Sequence, residues 1–378
     1  MTYIPTTWAN GTAPAINDTN LNHIETGIYD AHEMPTGRCA TFVVAANDSS
    51  ALGKQQADYV CDGVDDQIQI NAALADGGTV LQEGTFNISA PIRMTESFSK
   101  LSGAGHGWNL GGTQIYLANG SNCNMIEMSG VTNRVFFPTI CDLYLEGNMA
   151  NNPTGGHGIY CPATTVNDVS DQMLYNLGIH GMKQDGIRLL GGWYISLVNV
   201  WCEVNGGLGA YIPLQSFIAN SVFSANLGDG IEFGSTSLLT NSCIERNTGY
   251  GIICNAAYST ISSCLINDNS NDSAGTYSGI VNWGGGDDVN IVNNIIIGGG
   301  HQDYGILLNT GTERCNVKNN NISGNVTASI YNSATNAGQI RGNIGFVTEN
   351  SGTATLANGT TSIAVAHGLA VTPVAGDI

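Results

Sequence analysis

A short step of glycine followed by isoleucine recurs along most of this chain, and it constrains the fold more than any other feature. It appears at Gly158-Ile159, Gly186-Ile187, Gly230-Ile231, Gly251-Ile252, Gly279-Ile280 and Gly305-Ile306, with Gly209-Ala210 and Ser329-Ile330 as weaker members. The spacings run 28, 23, 21, 21, 28, 26 and 24 residues. A second register keeps the same period. Asn199/Asn205, Asn220/Asn226, Asn241/Asn247 and Asn319/Asn325 are each six apart, with Cys202, Phe223, Ile244 and Ile322 at the fourth place. Repeats of 20 to 50 residues mark solenoids and propellers. Short β-branched runs, Asn and Gly at the corners and little helical periodicity select a parallel β-solenoid. Leucine-rich repeats share the period but need many more leucines at fixed places.

Stacked coils rise by about 4.8 Å, so equivalent residues form ladders. Ile159, Ile187, Ala210, Ile231, Ile252, Ile280, Ile306 and Ile330 are expected inside, and asparagine at the bends, where it tolerates left-handed backbone. Composition agrees: the 378 residues hold 50 Gly and 42 Asn, and only 11% are charged. The mean hydropathy of +0.01 is ordinary, so low charge does not signal disorder. With 11 basic against 30 acidic residues the net charge is −19, which excludes a phosphate-tracking nucleic-acid surface. No apolar run reaches the ~18 residues of a membrane span, and the first residues lack a secretory pattern. Ten scattered cysteines without a C-x-x-C pair argue against zinc and a disulfide scaffold. Cys243 and Cys264 sit at similar places in adjacent repeats, so a bridge is conceivable, with stacked free thiols the favoured alternative.

Upstream, Asp62 to Leu74 reads as a short helix with an acidic start, placed to cover the open end of the first coil. Gly77-Gly78-Thr79-Val80, Gly84-Thr85-Phe86 and Leu101-Ser102-Gly103-Ala104-Gly105 follow it. This succession resembles the opening of right-handed β-helix proteins of the pectin-lyase-like superfamily, over roughly residues 40 to 350, and the same opening is common in phage tailspikes. Residues 1–36, with Tyr3-Ile4-Pro5-Thr6-Thr7-Trp8 and Asn20-Leu21-Asn22-His23-Ile24, resemble the N-terminal segment of phage tail and fibre proteins. Leu21, Ile24, Ile28 and Ala31 fall at a/d spacing. The seam is too short to hold alone, and a single amphipathic helix docked on its own β-helix explains it equally. Residues 359–369 alternate as a strand does and, with Thr372-Pro373, resemble the start of a small β-module at a fibre end.

The expected organisation is therefore an attachment segment at 1–36, a capping helix and first coils at 37–100, a right-handed parallel β-helix at 101–350, and the start of a C-terminal β-module at 351–378, where the chain reads as truncated. The resemblance implies a virion-tail protein that recognises host-surface polysaccharide, a homotrimer joined to a baseplate or tail protein through residues 1–36. It implies no cofactor or metal, no nucleic acid and no membrane insertion. A polysaccharide depolymerase, by hydrolysis or lyase chemistry, is an alternative on the same fold. A structural shaft or adhesin without a sugar site is another.

Enzymes of this fold carry their chemistry on the outer face of the stacked strands. The outward ladder beside each repeat Ile runs Tyr160, Arg188, Tyr211, Glu232, then Ile253, Val281, Leu307, Tyr331. The first four suit stacking on sugar rings and bonding hydroxyls. Ile253, Val281 and Leu307 are bare apolar positions that need a cover, either neighbouring subunits of a trimer or a loop of the same chain. Hydrolysis needs two carboxylates about 5–5.5 Å or 6.5–9.5 Å apart. Asp185 and Asp229 lie two coils apart, as do Glu203 and Glu245, roughly 9.6 Å by strand spacing; acidic residues before glycine are also ordinary turn formers. Glu232 near Arg188 reads equally as a surface ion pair. Gly156-His157-Gly158 and Gly286-Asp287-Asp288 match polygalacturonase fragments in reversed order, so that family's catalytic set is not carried over. His106 reads as a turn residue.

Overall fold

The computed structural model describes residues 41–348, apart from 108–110, 130–133, 164–168, 256 and 337, together with Thr355 and Asn358. The attachment segment, the Leu21/Ile24/Ile28 seam and the C-terminal module lie outside these residues.

The chain winds into a parallel β-helix. Each turn contributes one short strand to a ten-stranded parallel sheet, here the narrow sheet, which runs from Ile92–Met94 to Ala328–Asn332. The rest of each turn adds to a wide parallel sheet that bends once per rung. All eight repeat positions fall in register: Ile159 pairs Ile187, Ala210 pairs Ile231, Ile252 pairs Ile280 and Ile306 pairs Ile330. Ile92 and Ile126 extend the ladder upstream. Every member is buried, so one continuous apolar column fills the interior. The glycine before the members from Ile159 to Ile306 is steric: a Cβ on Gly230 would sit 2.5 Å from the carbonyl oxygen of Gly251 on the next rung.

The two asparagine registers do different work. Asn176, Asn199, Asn220, Asn241, Asn293 and Asn319 hold the bend of the wide sheet in left-handed backbone, φ between 49° and 58°. In the second register Asn205, Asn226 and Asn247 are buried and hydrogen-bonded to one another, whereas Asn325 is only partly buried and donates to the Ser323 carbonyl. Asn205 Nδ2 donates to Asn226 Oδ1, Asn226 to Asn247 and Asn247 to Asn269, at 2.9, 2.9 and 2.8 Å. Both registers therefore sit at bends, and the inner one replaces backbone pairing in a corner that water does not reach.

The predicted cap forms as Gln67–Asp76 and buries Ile70, Ala73 and Leu74 against the first coil. It starts later than the sequence suggests because Asp66 is occupied elsewhere: its carboxylate accepts the Gly63 and Asn87 backbone N–H groups at 2.9 and 2.7 Å. Burial raises the pKa of this carboxyl. A second short helix, Ala51–Gln56, capped by Ser50, was not foreseen. At the far end Phe346 covers the core. Cys243 stacks on Leu265 rather than on Cys264, which removes the geometric case for a bridge, and Cys243 and Cys264 are both free thiols.

Candidate carbohydrate-binding face

The outer face of the narrow sheet gathers six of the eight sequence-selected catalytic and sugar-binding residues. Tyr160, Arg188, Tyr211 and Glu232 occupy four consecutive rungs, all partly exposed. Asp185 and Asp229 lie at the turn that leads into these strands. His157 joins them, one rung before Asp185. Its ring stacks on Tyr160 with centroids 5.2 Å apart, and the Arg188 guanidinium lies 4.8 Å over the Tyr211 ring.

Asp185 is fully engaged. Oδ1 accepts the Leu208 N–H at 2.8 Å and Oδ2 accepts Arg188 Nη1 at 3.0 Å. The Asp185 N–H donates to His157 Nδ1 at 3.1 Å, so that nitrogen carries no proton. Burial lowers the His157 pKa, Asp185 opposes this and Arg188 adds to it. The 3.4 Å approach of Nδ1 to Asp185 Oδ2 is thus a contact of a neutral ring and not an ion pair. Asp185 positions Arg188, which places the cation over Tyr211.

Asp229 repeats the turn two rungs on with a different outcome. Its Oδ1 accepts the Tyr250 N–H at 2.7 Å, but Leu208 and Tyr250 flank it where Asp185 has His157, and Glu232 replaces Arg188 three residues later. Burial, then the Glu232 and Asp185 charges, push its carboxyl up to about 6, against the lowering effect of the Tyr250 N–H. Glu232 Oε1 accepts Asn255 Nδ2 at 2.9 Å, so Glu232 near Arg188 is not the surface ion pair considered from sequence: Arg188 is paired to Asp185 instead.

Below these rungs the apolar ladder needs no partner subunit over its first two members. Ile253 and Val281 are 8% and 0% exposed within the single chain; Leu307 is half-buried. The Tyr250 ring meets Trp283 at 6.1 Å and Tyr277 at 5.0 Å. Tyr250 and Trp283 belong to opposite ends of the paired strands Ile252–Cys254 and Ile280–Asn282. The two rings come from the strand ends on either side of the outward positions Ile253 and Val281. The expectation of a trimer contact at these two residues is corrected accordingly.

Glu203 and Glu245 lie on the wide sheet, two rungs apart with Ser224 between, away from the other candidates. Glu245 pairs with Arg246 at 2.5 Å. Asp288 of the Gly286-Asp287-Asp288 fragment is held by Arg314 through two bonds of 2.9 and 2.8 Å. Sequence reading missed Tyr250 and Asn255, and passed over His157 as a motif fragment. All three follow from counting back two residues, or forward three, from the repeat Ile.

No protein-family model and no curated protein sequence matches the chain. Solved structures do. DFA-IIIase from Arthrobacter chlorophenolicus A6 in complex with GF2 superposes with a TM-score of 0.52 at 13% identity, over 77% of this chain and 86% of that one. ORF18 of Geobacillus virus E2 gives 0.51 at 14% identity, over 86% of this chain. The match spans 64% of the phage protein's length. The A-module of the Azotobacter vinelandii mannuronan C-5 epimerase AlgE6 gives 0.47 at 18% identity, over 75% and 96%. At such identities the likeness is one of fold.

Proposed function

We propose that the protein is a phage tailspike or tail-fibre component that binds host-surface polysaccharide along the outer face of the narrow sheet. The observation that carries this reading is the run Tyr160, Arg188, Tyr211, Glu232 on consecutive rungs. Planar groups alternate there with hydrogen-bonding groups at the ~4.8 Å strand spacing, a periodic surface for an extended polymer. Aromatic faces supply apolar contact to sugar rings, and the guanidinium and carboxylate bond hydroxyls. The fold shared with a phage protein and with an enzyme solved in complex with GF2 supports the same reading.

Binding of a bacterial surface-polysaccharide panel tests it. One polysaccharide is expected to bind, and Tyr211→Ala to weaken it by about tenfold, the loss of one stacking contact, without lowering the melting temperature. A panel with no binder, or binding unmoved by Tyr211→Ala, refutes the assignment and leaves a structural shaft.

A second reading, cleavage of the bound chain, is favoured by Asp229. Glycoside hydrolysis pairs a protonated carboxyl with an ionised one, and Asp229, held near 6, stands beside the Glu232 and Asp185 carboxylates. New reducing ends in the same panel, abolished by Asp229→Asn with binding retained, are the expected signature. Unsaturated products would assign lyase chemistry instead.

A further inference from the structure

The wide sheet carries a separate cleft. Tyr144, Gly178 and Trp201 are register partners on three consecutive rungs. A Cβ at 178 would sit 2.5 Å from Tyr144 Cδ2, so glycine lets the Tyr144 ring lie across the rung as a floor, 4% exposed. Trp201 stands beside it, 45% exposed, and His106 approaches from the turn above, its ring 6.1 Å from the indole. Together with Glu203 these residues enclose about 270 Å³. That is the small end of ligand pockets, which begin near 300 Å³, and suits one ring rather than a polymer.

The polar edge is equally defined. Glu146, His180 and Glu203 are register partners two residues beyond the aromatic positions. Glu146 is spoken for: it accepts the Tyr144 hydroxyl at 3.3 Å and pairs with His180 Nδ1 at 2.9 Å. The Glu203 side chain has no hydrogen-bond partner among the described residues and opens into the cleft, a strong acceptor without a donor. Burial lowers the His180 pKa, and the hydrogen bond and charge of Glu146 together with the charge of Glu203 outweigh it and raise it. No lysine or arginine lines it among the described residues.

We propose that this cleft is a second sugar site, taking a single neutral pyranose that stacks on Trp201 and donates hydroxyls to Glu203. An exposed indole face offers the apolar surface of a pyranose ring its match. A carboxylate with no lysine or arginine among the described lining residues selects hydroxyl donors and repels uronic acids. The site lies on a different sheet from Tyr211 and does not depend on that face binding a polymer.

Saturation-transfer NMR with methyl glucoside, methyl galactoside, methyl mannoside and glucuronate as probes tests the assignment. At least one neutral glycoside is expected to bind in the millimolar range, glucuronate not at all. Trp201→Ala and Glu203→Gln should each weaken binding by about tenfold or more; Tyr211→Ala should leave it unchanged. Both substituted side chains are partly exposed, so folding is retained, which the melting temperature verifies. The proposal is overturned if no glycoside binds, if neither cleft substitution moves the affinity, or if glucuronate binds equally. Loss of binding in Tyr211→Ala alone would place the sugar on the narrow sheet.

Discussion

Asp229→Asn will stabilise the protein above neutral pH and leave its stability unchanged in acid. The folded carboxyl titrates near 6 against an ordinary 3.8. Between those values the folded chain holds a proton that the unfolded chain has released. This group therefore favours folding fully only below about pH 3.8, and the contribution is lost as pH rises through 6. Above that, folding carries the cost of a charge in a half-buried turn, beside Glu232 and Asp185. A gap of roughly two pKa units corresponds to about 3 kcal/mol, and the part of Asp229 still open to solvent reduces it to about 1–2 kcal/mol. Asparagine keeps the acceptor that meets the Tyr250 N–H at 2.7 Å and removes the charge. The thermal midpoint of the variant should exceed the native one by a few degrees near pH 8, the difference closing near pH 4. An equal difference at both pH values would mean that Asp229 is ionised throughout. A residue that costs stability at working pH is characteristic of a functional position, and the same substitution is the one that tests cleavage.

The interior was legible in the sequence and the surface only in part, for one physical reason. An inward position such as Ile231 answers to the rungs directly above and below, Ala210 and Ile252, so each rung repeats the same demand and the demand repeats in the sequence. An outward position answers to whatever the turns place over it. Ile253 and Val281 read as bare because the rings of Tyr250 and Trp283 come from outside the strand. The cleft was hidden by loop length. Glu146 and His180 are 34 residues apart, whereas His180 and Glu203 are 23 apart, and only register joins them. Glu203 is singled out in the sequence for its spacing to Glu245, but its register neighbour at the cleft, His180, lies on the other side. Asp185 and Asp229 were both seen as turn formers and as carboxylates of a site. The turn-forming role is the one on view, because each accepts the N–H of the next rung.

Asn226→Ala will lower stability more than any substitution at the bends. The Asn226 amide makes four hydrogen bonds: Oδ1 accepts the Asn205 N–H at 3.1 Å and Asn205 Nδ2 at 2.9 Å, and Nδ2 donates to Asn247 Oδ1 at 2.9 Å and to the Cys202 carbonyl at 3.1 Å. All sit where Asn205, Asn226 and Asn247 are completely buried. Truncation strands two donors and weakens two acceptors with no water to replace them. At about 1–3 kcal/mol for each stranded group, the total is on the order of 3–5 kcal/mol. Asn199→Ala, at an exposed bend with φ 55°, removes one bond to Asn176 and adds the left-handed cost of a Cβ residue, about 1 kcal/mol. The midpoint of Asn226→Ala should therefore fall by at least twice as much as that of Asn199→Ala. Because a solenoid is held rung to rung, native-state hydrogen exchange should show the loss concentrated on the rungs of Asn205, Asn226 and Asn247, with the amides near Ile92 and Ile322 little changed. Equal destabilisation by the two variants would mean that the buried ladder contributes no more than the bends, and that the apolar column alone holds the rungs in register.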